Sequence, residues 1–198
     1  MANIQSPLFK THNENLKRIF DLIISIIICI FILPVLTIII GTIIKLDSKG
    51  PIFFKQKRFG KNKKYFVLYK FRTMFNNGAE EITKAGYFLR KNNIDELPQF
   101  INVLKGEMSI VGPRPHEVNE DFLFSNLVKD YDCRYIVKPG ITGWAQINNL
   151  RGKVNDINEI QKRFEYDIWY IENWSFWLDI LIIIKTAVKM IKGDTKAC

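Results

Sequence analysis

The sequence contains few of the residues that build metal and disulfide sites. Its 198 residues include three cysteines and two histidines, which stand far apart in the chain. Because Cys29, Cys133 and Cys198 are odd in number and widely spread, they do not indicate a disulfide framework. Neither the cysteines nor the histidines have the spacing of zinc ligands. This usage is typical of a protein exposed to a reducing cytoplasm.

Acidic residues are also scarce relative to basic ones. The chain has 20 Asp and Glu against 29 Lys and Arg, a formal net charge of +9. Such an excess indicates an anionic partner, which could be nucleic acid, phospholipid headgroups or a phosphorylated substrate. Nucleic-acid binding would explain the charge but not the long apolar segment described next, so we expect no nucleic-acid partner. The length predicts a single domain over residues 1–198.

Charge is missing altogether from residues 22–44, "LIISIIICIFILPVLTIIIGTII". These 23 residues are enough to cross a bilayer as a helix. The segment starts too far into the chain, and runs too long, for an ordinary cleaved signal peptide. It therefore predicts a membrane-embedded segment and contact with membrane lipid.

The flanks of this segment do not indicate that it crosses the membrane. Residues 45–72 carry ten Lys and Arg against Asp47 alone, and the preceding flank is also basic, so neither side has the composition of an external loop. Pro34, near the middle, removes a backbone hydrogen bond and can bend or break the helix. From the residues alone two courses stay open: two half-helices that enter and leave by the same leaflet, or a Pro-kinked spanning helix.

The remaining patterns predict an α+β fold that is mostly helical. Residues 51–74 alternate apolar and basic side chains around a Gly-Lys-Asn-Lys turn, which predicts a small β-hairpin. Residues 76–91 and 117–134 have helical patterns. The last fifty residues also look helical, and Trp174, Trp177 and regularly spaced lysines predict an amphipathic helix on the membrane surface. Ordinary core burial of that helix is the competing interpretation.

Two adjacent carboxylates, Asp95 and Glu96, stand out in this basic chain. Since Pro98 is tolerated only in a first helical turn, the helix should start at about residues 93–95. In the structural interpretation the acids complement the helix dipole, and Asn93 with Glu96 forms a capping box. In the functional interpretation one carboxylate attacks a phosphorus atom while cations and a divalent metal neutralise the charge. Oxygen ligands and substrate phosphates would select Mg²⁺ over zinc.

Several stretches together resemble the bacterial sugar transferases, the monotopic polyprenyl-phosphate phosphoglycosyl transferases. The similarity begins at residue 17 and includes the Pro-containing apolar segment. The other stretches that carry it are "FFKQKRFG", "YKFRTM", "LRKNNIDELPQFINVLKGEMSIVGPRPH", "VKPGITGWAQINNLRG" and "FEYDIWYIENWSFWLDI".

The resemblance implies a two-step transfer on the cytoplasmic face of the bacterial inner membrane. Asp95 would attack the β-phosphorus of a UDP-sugar, release UMP and hold a phosphosugar that polyprenyl (undecaprenyl) phosphate then accepts. Glu96 would assist as a Mg²⁺ ligand or in proton transfer. Pro34 matches the helix-breaking proline of a re-entrant membrane helix, which favours the non-crossing course. The basic positions implied in phosphate binding are Lys70, Arg90 and Arg114, with Arg72 and Arg58 as further candidates.

The sequence departs from the family pattern at two positions. Leu33 replaces a frequent Ser before the proline, and Lys63 replaces a frequent Gly in the hairpin turn. Many relatives carry extra N-terminal membrane helices, so this chain is expected to be a minimal form or the catalytic part of a longer protein. The reaction would be the first membrane step of exopolysaccharide or other glycoconjugate assembly.

Three questions stay open. The sugar is not indicated, although a hexose 1-phosphate is favoured by the likeness of the tail to exopolysaccharide enzymes. The oligomeric state is not indicated either. The alternative function is a non-enzymatic membrane-surface adaptor that holds an acidic partner.

Overall fold

The computed structural model describes residues 4–76, 81–152 and 156–192. Its first large element is a long apolar N-terminal helix. This helix consists of α1 (Thr11–Ile27), a five-residue π-helical turn (Ile28–Ile32) and α2 (Leu33–Asp47). By length and composition it could cross a membrane.

The π-helical turn explains how the long helix accommodates its proline. Pro34 stands in the first turn of α2 and has no backbone N–H to donate to the preceding turn of the continuous helix. Just before it, the Leu33 N–H donates to the carbonyl of Ile28, five residues back, which is the bond of a π-turn. Pro34 therefore interrupts the α-helical hydrogen bonding without ending the helix. The re-entrant course stays a prediction.

The predicted hairpin is confirmed. Strands β1 (Phe53–Phe59) and β2 (Tyr65–Phe71) pair antiparallel, with Phe53 opposite Phe71. In the turn, Lys63 adopts a φ of +56°, in the left-handed region that favours glycine. Lys63 thus keeps a backbone conformation that suits the Gly implied at this position by the resemblance.

Short elements follow the hairpin. Helix α3 (Lys84–Lys91) covers the end of the predicted 76–91 helix, while residues 77–80 lie outside the described residues. The next helices are α4 (Gln99–Lys105), α5 (Val118–Leu127) and α6 (Trp144–Ile147). The predicted 117–134 helix is too long, because α5 ends at Leu127 and a separate 3₁₀ helix spans Tyr131–Ile136. Strands β3 (Ser109–Val111) and β4 (Gly140–Thr142) form a parallel pair that the sequence did not indicate.

Two longer helices complete the fold, α7 (Ile157–Glu172) and α8 (Phe176–Lys192). The predicted headgroup position of Trp174 is wrong: this side chain is 4% exposed and donates from Nε1 to the buried Asp179. Trp177 is 76% exposed, so only one of the two tryptophans is available to a lipid surface. Trp177 shares an exposed apolar face of α8 with Leu181, Ile184 and Val188.

The main core lies between the hairpin, α4, β3, β4, α7 and α8. Val103, Met108, Ile171 and Ile182 are fully buried in it. A second cluster packs α2 against the hairpin and α3, through Leu33, Ile40, Ile44, Phe71 and Leu89. These two clusters hold the segment between α3 and α4, which carries the acidic pair.

Candidate active site

The acidic pair lies in a 3₁₀ turn, Ile94–Glu96, between α3 and α4. A helical turn therefore begins within the predicted range, at Ile94, but the α-helix itself starts later than predicted, since α4 begins at Gln99. The capping box is wrong as well: Asn93 has a left-handed φ of +55° and caps no helix N–H. Its side-chain oxygen instead accepts a hydrogen bond from Arg151. A tertiary contact has taken the place of the local cap.

Glu96 is surrounded by three cations. Its Oε1 lies 2.8 Å from Lys70 Nζ and 2.8 Å from Arg114 Nη2, and its Oε2 lies 3.1 Å from Arg151 Nη2. Burial alone would raise the pKa of Glu96, but Arg114, Lys70 and Arg151 outweigh burial and hold that pKa well below its ordinary value. Glu96 is thus a fixed negative charge that organises the basic side chains.

Asp95 has a different environment although it is the adjacent residue. Both carboxylates are buried, with 5% of Asp95 exposed. Asp95 Oδ2 lies 3.9 Å from Lys70 Nζ, and Oδ1 has no hydrogen-bond partner among the described residues. Burial raises the pKa of Asp95, with Lys70 opposing and Glu96 adding to the increase. The pair therefore combines a more basic carboxylate that has an unengaged oxygen with a strongly paired one.

Of the predicted basic residues, Lys70 and Arg114 contact the acidic pair directly, whereas Arg90 and Arg72 have other partners. Arg90 Nε donates to Thr73 Oγ1 at 2.9 Å. Arg72 is buried and ties the end of α2 to the hairpin, donating to Ser48 O at 2.9 Å and to Pro51 O at 2.6 Å. Both arginines, with Arg58, line the cavity described below.

Arg151 is the functional candidate that residue-by-residue reasoning missed. It bridges Glu96 and Asn93 from a segment 55 residues further along the chain, counted from Glu96 to Arg151. Its only sequence signal was its place in the "NNLRG" stretch that contributes to the family resemblance.

Two cavities of different polarity meet at this site. The larger, about 660 Å³, is lined mainly by polar and charged side chains, including Asp95, Glu96, Arg114 and Arg151. The smaller, about 250 Å³, is mostly apolar and lies between the N-terminal helix, β4 and α8. Glu96 and Arg151 line both cavities. The Glu96–Arg151 ion pair thus separates the polar cavity from the apolar one.

A buried network supports the Pro-Arg-Pro loop that carries Arg114. Arg134 Nη2 donates to the carbonyl oxygen of Arg114 at 2.7 Å and lies 2.6 Å from Asp167 Oδ2. His116 Nδ1 lies 2.5 Å from the Tyr131 hydroxyl. Because these groups are buried and hydrogen-bonded, they fix the loop beside the acidic pair.

The residues present suit Mg²⁺ better than a transition metal. Within the described ranges no three His, Cys, Asp or Glu side chains gather as a metal cluster. Mg²⁺, however, is commonly held by one or two carboxylates together with substrate phosphates and water. Asp95 and Glu96 can supply such ligands, although Glu96 would have to share its oxygens with the three cations.

Comparison with known proteins decides the family. The family model described as "Bacterial sugar transferase" matches residues 12–193. The chain belongs to the bacterial sugar transferase family. The chain is 45% identical over 188 residues to the "UDP-glucose:undecaprenyl-phosphate glucose-1-phosphate transferase" of Klebsiella pneumoniae, with 89% of the chain and 40% of the relative covered.

Two further relatives widen the comparison. The "UDP-N-acetylgalactosamine-undecaprenyl-phosphate N-acetylgalactosaminephosphotransferase" of Aeromonas hydrophila is 40% identical, with 90% of the chain and 44% of the relative covered. The "Uncharacterized sugar transferase EpsL" of Bacillus subtilis (strain 168) is 43% identical, with 90% of the chain and 89% of the relative covered. The chain therefore spans about two fifths of the Klebsiella relative but most of the Bacillus one.

Proposed function

We propose that this sugar transferase moves a sugar 1-phosphate from a UDP-sugar to polyprenyl phosphate through a phosphosugar bound covalently to Asp95. The observation that carries the proposal is the environment of Asp95: a buried carboxylate with one unengaged oxygen, beside a ring of cations, on the wall of a polar cavity. A raised pKa makes this carboxylate the better nucleophile of the pair. The names of the relatives support the substrate classes.

In the first step Asp95 Oδ1 attacks the β-phosphorus of the UDP-sugar. A P–O bond forms to the aspartate, the P–O bond to the bridging oxygen breaks, and that oxygen leaves with the electron pair as part of UMP. Lys70 and Arg114 stabilise the charge that grows on the phosphoryl oxygens, since Glu96 holds both at the site. Bound Mg²⁺, for which Glu96 is the proposed ligand, would neutralise phosphate charge and favour departure of UMP.

In the second step a phosphate oxygen of polyprenyl phosphate attacks the same phosphorus. The aspartyl P–O bond breaks, the electron pair returns to Asp95, and a polyprenyl-diphosphate sugar forms. The apolar cavity supports this step because it reaches Glu96 and Arg151 from the side of the N-terminal helix. A lipid that enters it can present an anionic head to Arg151 while its tail stays among Ile and Phe side chains.

A re-entrant course of the N-terminal helix on the cytoplasmic face fits the polar contacts at both ends of that helix. Near the start, Arg18 donates to the carbonyls of Val103 and Leu104 at 2.6 and 3.0 Å. Near the end, Asp47 accepts from the Ala85 N–H at 2.9 Å. A straight helix from residue 18 to residue 47 would be roughly 44 Å long. If it spanned the bilayer, whose hydrocarbon core is about 30 Å thick, the two contacts would lie at opposite membrane faces, although only residues 92–98 separate α3 from α4.

UMP release from a UDP-sugar, with polyprenyl phosphate present, tests the reaction. Asp95→Asn should abolish release, because the amide is a poor nucleophile. Asp132→Asn, an exposed change far from the acidic pair in sequence, is the matched control and should release UMP at the parent rate. Unchanged release by Asp95→Asn would remove Asp95 as nucleophile. No release by the parent chain with a panel of UDP-sugars would favour the adaptor function.

A further inference from the structure

Unpartnered polar atoms concentrate in the larger cavity. Seven buried side-chain nitrogens and oxygens lack a hydrogen-bond partner within the described part of the chain, and four of them belong to residues that line this cavity. One is Asp95 Oδ1, used above. The other three are Arg58 Nε, His116 Nε2 and Arg163 Nε. Since buried polar groups are nearly always paired, this concentration indicates a site whose partners come from a ligand.

All three of these atoms are hydrogen-bond donors. Arg134 Nη1 lies 3.3 Å from His116 Nδ1, and a guanidinium can only donate, so Nδ1 is the acceptor and Nε2 carries the hydrogen. Burial and the nearby Arg134 hold the pKa of His116 well below its ordinary value, which keeps the ring neutral in this tautomer. His116 is 4% exposed, so its N–H is withheld from bulk water.

The charges around these donors also favour an anionic or acceptor-rich ligand. Arg58, Arg114 and Arg163 line one cavity, and burial followed by repulsion from Arg114 lowers the pKa of Arg58 to about 10. Glu117 and Glu120 line the same region and offer acceptors for hydroxyl groups. A lone phosphate could use the cations but has no hydroxyls for these carboxylates, whereas a nucleotide offers phosphate oxygens, base carbonyls and ribose hydroxyls.

We propose that the part of the cavity lined by Arg58, His116 and Arg163, here called the donor lobe, binds the nucleoside monophosphate portion of the sugar donor. The inference rests on the proposed function and deepens it by placing the leaving group. The three N–H groups take acceptor oxygens of the nucleotide, while Asp95 faces the phosphorus to be attacked. His116 and Arg163 are then binding residues. The cavity, at about 660 Å³, is of a size that accommodates a nucleotide sugar.

Calorimetric titration of the full chain in detergent with UMP tests the proposal, and it does not depend on turnover. His116→Phe removes the donor while keeping a ring of similar size, and it should weaken UMP binding about tenfold because an acceptor loses its partner. His116→Gln restores an N–H and should recover part of the affinity. His12→Phe, which changes the exposed histidine of α1, is the matched control and should bind UMP as the parent does.

A second variant covers the risk that His116→Phe disturbs the buried network. Arg163→Gln removes the orphan donor from α7 and should also weaken UMP binding about tenfold. Parent-like UMP affinity in both variants would overturn the proposal, as would inorganic phosphate binding as tightly as UMP with the same sensitivity to both changes. Asp95→Asn should still bind UMP, because the donor lobe is intact and one negative charge beside the phosphate is removed, while it releases no UMP from a UDP-sugar. Loss of the covalent mechanism and loss of the donor lobe therefore give different results.

Discussion

Arg134 donates a hydrogen bond from Nη2 to the main-chain carbonyl of Arg114 at 2.7 Å. Arg114 in turn binds Glu96 through its side chain, so a fully buried arginine positions the loop that reaches the acidic pair. The counter-ion of Arg134 is Asp167 in α7, 2.6 Å away. Stability and site geometry are therefore linked through one buried ion pair.

Asp167→Asn should destabilise the protein strongly. The change leaves the charge of Arg134 buried without its counter-ion, a loss of about 3–5 kcal/mol in the free energy of unfolding. Denaturant unfolding in detergent measures it. Asp132→Asn breaks the exposed ion pair with Lys63 and should lower the free energy of unfolding by less than about 1 kcal/mol. Equal losses in the two variants would contradict a special role for the Arg134–Asp167 pair.

The rate of UMP release should fall at acid pH as Asp95 becomes protonated. Because burial raises the pKa of Asp95 above its ordinary value of 3.8, the fall should begin at a higher pH than for an exposed aspartate. Lys70 lowers this pKa. Lys70→Met should therefore move the acid limb of the pH–rate profile, the fall in rate at low pH, to still higher pH, besides slowing the reaction. Lys70→Arg keeps the charge and should leave the limb near its parent position. A limb that moves to lower pH in Lys70→Met would exclude Asp95 as the titrating group.

Filling the apolar cavity should slow the second step selectively. Ala187 lines the cavity on α8, and Ala187→Trp should reduce transfer to polyprenyl phosphate severalfold while leaving the first release of UMP intact. Val188→Trp enlarges the next side chain, on the exposed face of the same helix, and should transfer at the parent rate. Comparing UMP release with polyprenyl-diphosphate sugar formation separates the steps. Equal transfer by the two tryptophan variants would place the lipid elsewhere.

Cysteine labelling tests the course of the N-terminal helix. In a chain whose native cysteines are replaced by alanine, Lys10→Cys and Lys64→Cys place one thiol on each side of residues 22–44. A membrane-impermeant maleimide added to intact cells should modify neither thiol, and both should react after lysis. Modification of one thiol in intact cells would show that the segment crosses the membrane.

The sequence was most informative where a pattern is local. Alternating side chains around a turn predicted the hairpin, and 23 uncharged residues predicted the long apolar helix, because each pattern alone determines the local structure. The acidic pair was also conspicuous against the basic background. The family followed from several motifs in order, and the family model confirms it.

Features that depend on distant contacts could not be predicted in this way. Arg151 reaches Glu96 from across the fold, and it also draws the Asn93 side chain away from helix capping. Trp174 looked like a membrane-surface residue, yet its N–H finds the buried Asp179. Strands β3 and β4 have three residues each, too few for a period-2 pattern to emerge.

Mass spectrometry of the purified chain, after incubation with a UDP-sugar and no polyprenyl phosphate, tests the covalent intermediate on Asp95 most directly. The covalent mechanism predicts one added sugar phosphate on the peptide that contains Asp95, lost when polyprenyl phosphate is supplied and absent from Asp95→Asn. An adduct on another residue, or turnover of both substrates by the parent chain with no adduct on Asp95, would contradict it.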